Sequence, residues 1–249
     1  LNPRPLSVKV SGQPTEKKTM NPNAIIHNDL EQGTPEWLAA RRGLMTASEM
    51  NLVLLPTLKP SNNEKTRTHI YEIAAQRITE WTEPTYVGDA MLRGHADEIT
   101  ARDLYSDRYE PVEEKGFITR DFGGFTLGYS PDGCGVMSNI GIECKSRIQK
   151  HHLATIISDT VPVEYMLQVQ TGLLVTGWGY MDYISFCAGL PMWVIRVLPD
   201  PVYQDAIMTA ATDFELKVRE QVAAYQTRLD ECKTLITTER EPDEMEVYL

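Results

Sequence analysis

Residues 141–145 read Gly-Ile-Glu-Cys-Lys, and this short run limits the fold more than its length suggests. Side chains alternate along a β-strand, so Ile142 and Cys144 turn to one face while Glu143 and Lys145 share the other. The apolar face needs a core behind it, and the opposite face carries a carboxylate beside an ammonium. Upstream, residues 125–133 form a β-rich run stopped by Pro131 and Gly133, with Asp132 held in a tight turn. A hairpin between the two segments brings Asp132 to Glu143. Two carboxylates that close repel unless a cation lies between them, and oxygen donors suit Mg²⁺. Lys145 beside such an ion is placed to polarise or deprotonate water, with partial burial and the metal expected to lower its ammonium pKa. The implied chemistry is metal-assisted hydrolysis of a phosphate ester. The plain alternative is a solvated strand face with an ion pair worth less than about 1 kcal/mol.

Three further segments bear on that choice. Residues 91–105 read as a helix with apolar positions at Leu92, Ile99 and Ala101 to Leu104, and Glu98 lies in its middle. Its plain role is a surface charge. Residues 165–175 form a largely apolar helix containing Gln168 and Gln170; a buried amide needs a partner, which a polar site or a structural bond supplies equally well. Helical spacing over residues 36–49 sets Trp37 and Arg41 on one side, and Gly43 ends the helix. Thr46 or Ser48 then caps the next helix. A helix start with hydroxyls and an arginine is a natural phosphate site, although capping alone accounts for a serine.

Taken in order, Trp37-x-x-x-Arg41-x-Gly43-x-x-Thr46-Ala47-Ser48-Glu49, Gly94-x-x-x-Glu98, Ser130-Pro131-Asp132-Gly133, Glu143-Cys144-Lys145 and Gln168-Val169-Gln170 resemble the phage lambda-type exonucleases, or YqaJ-like viral recombinases. These belong to the restriction-endonuclease-like superfamily with a PD-(D/E)xK core. The resemblance runs from about Trp37 to Leu198. It implies an α/β fold with a central mixed sheet flanked by helices, and a metal-dependent exonuclease that digests one strand of linear double-stranded DNA from a 5′-phosphorylated end, 5′ to 3′. Mononucleotides would be released and a 3′ single strand left for annealing in recombination. Carried over by position, Asp132, Glu143 and the Cys144 backbone carbonyl would hold metal, and Lys145 would activate water. Glu98 would serve a second ion through water, and Gln168 would orient the nucleophile or the scissile phosphate. Arg41, Ser48 and Ser130 would bind the 5′-phosphate. Mg²⁺ is the expected ion, with Mn²⁺ substituting. The family also implies a ring-shaped homotrimer around DNA and a single-strand annealing protein as partner, in the bacterial cytoplasm of a phage or prophage host. The Leu54–Thr68 stretch departs from the family, so a DNA-wedge residue stays open among Lys59, Lys65, Arg67 and Met91. A DNA endonuclease or resolvase of the same superfamily, and a non-cleaving DNA-end-binding factor, are the competing readings.

A net charge of −11 is unusual for a protein that grips phosphates. An acidic exterior around a basic channel reconciles the two. Cys134, Cys144, Cys187 and Cys232 are isolated, which argues against an iron–sulfur cluster. His151 and His152 read as a helix start rather than a zinc site. No apolar run approaches the ~20 residues that span a bilayer. Residues 1–24 are expected to be an arm and 25–249 a single exonuclease domain. Arg120 to Gly124 reads as a hairpin turn, 180–187 and 193–198 as further strands of the same sheet, and Val202 to Leu235 as one long helix lying on it.

Overall fold

Alternating apolar runs become strands and the 3.6-residue patterns become helices, in the chain order β1 (Ala24–His27), α1 (Pro35–Arg41), β2 (Met45–Thr46), a 3-10 turn (Ala47–Glu49), α2 (Met50–Val53), α3 (Glu64–Thr79), α4 (Asp89–Arg108), β3 (Val112–Glu113), β4 (Phe117–Asp121), β5 (Thr126–Tyr129), β6 (Gly133–Gly135), β7 (Gly141–Ser146), α5 (Gln149–Ser158), α6 (Val163–Thr176), β8 (Met181–Phe186), β9 (Trp193–Val197) and α7 (Pro201–Asp230). The structure, a computed structural model, describes residues 20–84 and 88–240. Of the arm expected at 1–24, residues 1–19 lie outside them, as do residues 241–249; Ala24 already belongs to β1.

The strands form two mixed sheets rather than one. The first has the order β1-β4-β5-β2 and the second β3-β6-β7-β8-β9. Within them β2 runs parallel to β5 and β7 parallel to β8, and the other pairs are antiparallel. The chain changes sheet at Ser130-Pro131-Asp132, because Pro131 has no N–H to continue a ladder. Asp132 therefore does not end the strand that pairs with β7. The preceding strand β5 pairs with β4 through a turn at 122–125, two residues later than the start expected at Arg120 because Arg120 and Asp121 still belong to β4, and the hairpin partner of β7 is β6, immediately after Asp132.

The main core joins the first sheet to α2, α3, α6 and α7, with Leu127, Tyr129, Leu167, Leu173 and Trp178 buried. Gly141 lets Trp178 lie against β7, since a Cβ there would come within 2.1 Å of the indole. A smaller cluster of Ile142, Cys144, Ile184 and Phe186 backs the second sheet and receives Ala101 and Tyr105 from α4. That patch is too small to cover a 20-residue helix. Leu92, Ile99 and Leu104, expected as core positions, are exposed, and only Ala101 and Tyr105 turn inward.

The apolar stripe of α7 is as expected: Ile207, Ala210, Phe214 and Val218 are buried. Its neighbour is not. The helix lies against α3, α6 and α2 rather than on the sheet, because α6 already occupies that face, and it ends at Asp230 instead of 235. Glu215 of α7 accepts both guanidinium nitrogens of Arg77 (2.9 and 2.8 Å) and Arg219 Nε (2.7 Å). Arg77 Nε donates to the Gly43 carbonyl at 2.8 Å, so the turn that follows Arg41 is fastened to α3. Gly43 has φ +70°, and a Cβ there would meet Arg77 Cγ at 2.8 Å; both facts require glycine. Among the described residues no helix is long and apolar enough to cross a membrane.

Candidate active site

Glu143 lies at the centre of β7 and is completely buried. Its Oε1 accepts Lys145 Nζ at 2.6 Å and Gln168 Nε2 at 2.5 Å, and its Oε2 accepts the Tyr129 hydroxyl at 2.9 Å. Strand alternation puts Lys145 beside it, α6 delivers Gln168, and β5 of the other sheet delivers Tyr129. Asp132, at the sheet crossover, accepts the Cys144 N–H at 2.6 Å. The Cys144 thiol packs into the small apolar cluster, and burial pushes its pKa well up, so only the backbone of this residue faces the acids. Glu98 approaches from α4. Arg102, one turn on, stands 3.7 Å from Glu98 and donates to the Asp132 carbonyl at 2.9 Å.

Electrostatics sets this cluster apart. Burial and the neighbouring Glu143 push the Asp132 carboxyl well above its usual range. Burial also raises Glu98, against the pull of Arg102, Lys145 and His95. With no ion beside it, burial acts to lower the Lys145 ammonium pKa, but Glu143 and Asp132 outweigh it and the value is raised. Asp132 and Glu98, driven towards protonation by burial and by neighbouring carboxylates, are suited to a divalent cation. Among the described residues no three His, Cys, Asp or Glu side chains stand close enough to cage an ion by themselves. Two carboxylates with water and substrate oxygens filling the remaining positions is how Mg²⁺ is usually held, so the residues fit that ion.

Next to the acids lies a cavity of about 160 Å³, whose wall includes Tyr129 and Gln168 from the carboxylate cluster. Arg41 enters it with its guanidinium 4.2 Å from the centre of the Trp37 ring. It donates to Ser130 Oγ and Thr46 Oγ1, each at 3.3 Å, and Trp37 Nε1 also donates to Ser130 Oγ at 3.0 Å. Thr46 rather than Ser48 precedes the 3-10 turn, with Glu49 reaching back to its N–H at 2.9 Å. Ser48 is thereby free to line the cavity, 3.2 Å from Thr46 Oγ1. Arg41, Ser48 and Ser130 are thus brought together, as are Asp132, Glu143, Lys145 and Gln168, with Glu98 at the edge.

Three neighbours were not singled out in the sequence: Tyr129, Arg102 and Gln32. Gln32 Nε2 ties Pro131 O (2.8 Å) to Lys115 O (3.0 Å) and so braces the crossover. Arg102 had a local signal, its i,i+4 spacing from Glu98. His152 is buried at the start of α5 between Ser185 Oγ (2.7 Å) and the Pro191 carbonyl (2.9 Å), which is a structural role. Cys134, Cys144, Cys187 and Cys232 are free thiols. Of the wedge candidates, Lys59, Lys65, Arg67 and Met91 are exposed.

Residues 36–179 match the profile of the YqaJ-like viral recombinase domain. The chain belongs to this family. The matched span of the YqaJ-like domain runs from α1 through α6 and includes the carboxylate cluster and every residue of the cavity wall except Gln32. Among solved structures, an alkaline exonuclease (LHK-Exo) from Laribacter hongkongensis superposes with a TM-score of 0.69 at 27% identity, over 79% of this chain and 98% of that one. The same exonuclease in complex with dAMP gives a TM-score of 0.68 at 27% identity, with the same coverage. A phage-related exonuclease from Haemophilus somnus 129PT shares the fold, with a TM-score of 0.54 at 8% identity over 73% of this chain and 96% of that one. No curated protein sequence matches the chain. Family and neighbours together identify a phage-type exonuclease fold.

Proposed function

We propose that this YqaJ-like domain is a divalent-metal-dependent deoxyribonuclease that digests one strand of linear double-stranded DNA, 5′ to 3′, from a 5′-phosphorylated end and releases mononucleotides. The observation that carries this reading is the shared wall: Tyr129 and Gln168 bond to Glu143 on one side and line the Arg41 cavity on the other. A terminal phosphate seated against Arg41, Ser48 and Ser130 would leave the next phosphodiester over the carboxylates. The Arg41 guanidinium supplies charge and a planar fork of donors to that phosphate, and the hydroxyls fix its orientation. Because the cavity is small, a chain end enters it more readily than a continuous strand, which favours an exonuclease over an endonuclease. LHK-Exo has been solved with dAMP, a mononucleotide of the kind such digestion yields.

Asp132 and Glu143, with the Cys144 carbonyl, would hold a divalent ion, and Glu98 would reach a second through water. The ion would supply Lewis-acid stabilisation of the scissile phosphate and a more acidic water. Gln168, fixed against Glu143, orients the water or the phosphate. Lys145 keeps its charge through Glu143 and Asp132; with an ion held by those carboxylates their hold on its proton would weaken, and the neutral amine would take the proton of the attacking water, while the ammonium form would stabilise the phosphate oxygens. A ring-shaped trimer around the duplex is the assembly we propose, since it lets a chain of net charge −11 confine DNA; a monomer by light scattering would overturn it.

The test digests linear duplex with a 5′-phosphate, linear duplex with a 5′-hydroxyl, and covalently closed circles, each with Mg²⁺ and with EDTA. Mononucleotides from the phosphorylated linear duplex, in Mg²⁺ only, are expected. Cutting of the circle would mean an endonuclease, and no cutting at all would favour a factor that binds DNA ends without cleaving them.

A further inference from the structure

The alternation that pairs Glu143 with Lys145 continues one step further. Residue 147 falls on the same face, about 6.7 Å along the strand from Lys145, and it is an arginine. The ladder reaches it, since Arg147 N–H donates to Phe186 O at 2.8 Å beyond the last residue of β7. Its side chain is only 9% exposed. One nitrogen, Nη1, makes both of its side-chain bonds, to the Tyr165 hydroxyl (2.7 Å) and to Glu164 (3.0 Å), the latter half exposed. Nε is buried, and no described residue accepts from it. The Tyr165 ring holds both cations, with Arg147 Cζ at 4.9 Å and Lys145 Nζ at 5.7 Å from its centre. Because the Tyr165 oxygen accepts from Arg147, its own proton is free for another acceptor. A buried guanidinium with a donor unused, beside a hydroxyl with a donor unused, costs stability unless an acceptor arrives.

The contacts also fix an order. Tyr165 of α6 touches Lys145 and Arg147, Gln168 one turn later touches Glu143, and Gln168 lines the Arg41 cavity. The cavity, the carboxylates and Arg147 therefore stand in a row, with the acids in the middle.

We propose that Arg147 and Tyr165 form a subsite for the phosphate that follows the scissile one on its 3′ side, so that three successive phosphates of the digested strand are held by Arg41, the carboxylate site and Arg147. This rests on the exonuclease reading above and adds a contact to it. Glu164 is the displaceable partner: an incoming phosphate takes its place on the guanidinium and gains a two-pronged, charge-assisted contact.

The test is a phosphate walk. Linear 5′-phosphorylated duplexes carry one neutral methylphosphonate at the second, third, fourth or fifth phosphate of the digested strand, and first-turnover rates are measured at low enzyme concentration. In the wild-type chain a neutral third phosphate is expected to slow the first cut by about tenfold or more, the worth of one charge-assisted contact, and a neutral fifth phosphate to have little effect. Arg147→Gln should be slowed by a similar factor on unmodified DNA and should show no further loss at the third position. Its salt dependence of binding should fall by about one phosphate contact. A purely structural Arg147 would lower the melting temperature and leave both the third-phosphate penalty and the salt slope as in wild type, which overturns the subsite. Should Arg147→Gln fail to fold, Arg147→Lys keeps stem and charge but not the fork, and its third-phosphate penalty is expected to be smaller than in wild type; an equal penalty overturns the proposal. A wild-type chain that cuts normally with no penalty at the third phosphate removes the subsite alone, whereas one that cuts no duplex removes the exonuclease reading as well.

Discussion

Two clusters of buried charge, one joining α3 to α7 and the other centred on β7, are built in opposite ways. Around Glu215 every charge has its partner: Arg77 binds both carboxylate oxygens and Arg219 adds a third bond. Burial works to raise the Glu215 pKa, yet these arginines outweigh it and hold the carboxyl low. Around Glu143 the acids outnumber the bases, and Asp132 and Glu98 are pushed up. The first cluster is finished by the fold. The second is finished only by something brought from outside, which is why function is sought there and not at the better-paired network.

Lys145→Ala should sharpen this contrast most. Loss of the group expected to manage the proton at the scissile phosphate costs about 10³-fold or more in rate, while DNA binding in the presence of metal persists. Turnover near wild type would remove Lys145 from the chemistry. Asp132→Asn makes the complementary case: it should abolish cutting yet melt at the same temperature as wild type or higher, because an amide removes a burial penalty that the carboxylate carries.

Glu215→Gln should do the reverse, keeping DNA cutting within about threefold of wild type and losing stability. A fully buried pair broken on one side costs about 3–5 kcal/mol. Here Arg77 is 29% and Arg219 is 61% exposed, so water screens part of the loss and about 2–3 kcal/mol is expected from denaturant unfolding. The pH dependence separates the clusters by sign. Glu215 has a depressed folded pKa, so its contribution is present above the unfolded value of about 4.3 and is lost as pH falls through the lower folded value. Asp132 has a raised folded pKa, so its penalty is present above that value and is relieved as pH falls from it towards about 3.9. Glu215→Gln should therefore flatten the acid limb of the stability curve. Asp132→Asn should flatten the decline on the neutral side instead, and identical profiles for both variants would break the comparison.

Mg²⁺ supplies the next test. An ion that binds only the folded chain adds about 1.4 kcal/mol at ten times its Kd, seen as a higher melting temperature in wild type. The rise should vanish in Asp132→Asn and survive in Glu215→Gln.

How far each cluster was legible follows from the distance over which its contacts act. Glu143 and Lys145 share a face by strand alternation, a rule that reaches two residues, and the sequence sufficed. Asp132 was rightly held to sit at a turn, but Pro131 moves the chain to another sheet, and the hairpin partner changed accordingly. Gln168 meets Glu143 because α6 packs across the two sheets, on β4, β5 and β8, which no periodicity encodes; only the order of motifs pointed to it. Tyr129 arrives from another sheet and left no mark beyond being polar, and Arg102 left only its i,i+4 spacing from Glu98. The stripe on α7 declared that a face is buried, not what buries it, and a helix patch rather than the sheet was the answer. Glu215 itself was invisible for the same reason, since Arg77 lies 138 residues away in sequence.

Arg41 is the smallest effect and the finest test of the contrast, because it is the cationic counterpart of the acid cluster. Its hydrogen-bond partners are neutral hydroxyls and its ring neighbour is Trp37, whereas Arg77 faces a carboxylate squarely. Burial lowers the Arg41 pKa and the nearby Glu49 offsets this only in part. A guanidinium held among neutral groups keeps its charge available for an arriving phosphate; one already bonded to Glu215 does not. Arg41→Ala should therefore leave the melting temperature nearly unchanged and cut the rate ratio between 5′-phosphate and 5′-hydroxyl ends by about five- to tenfold, roughly one charge-assisted bond shared with Ser48 and Ser130. An unchanged ratio would mean that the end is recognised elsewhere, and Arg41 would then join Arg77 as a structural arginine.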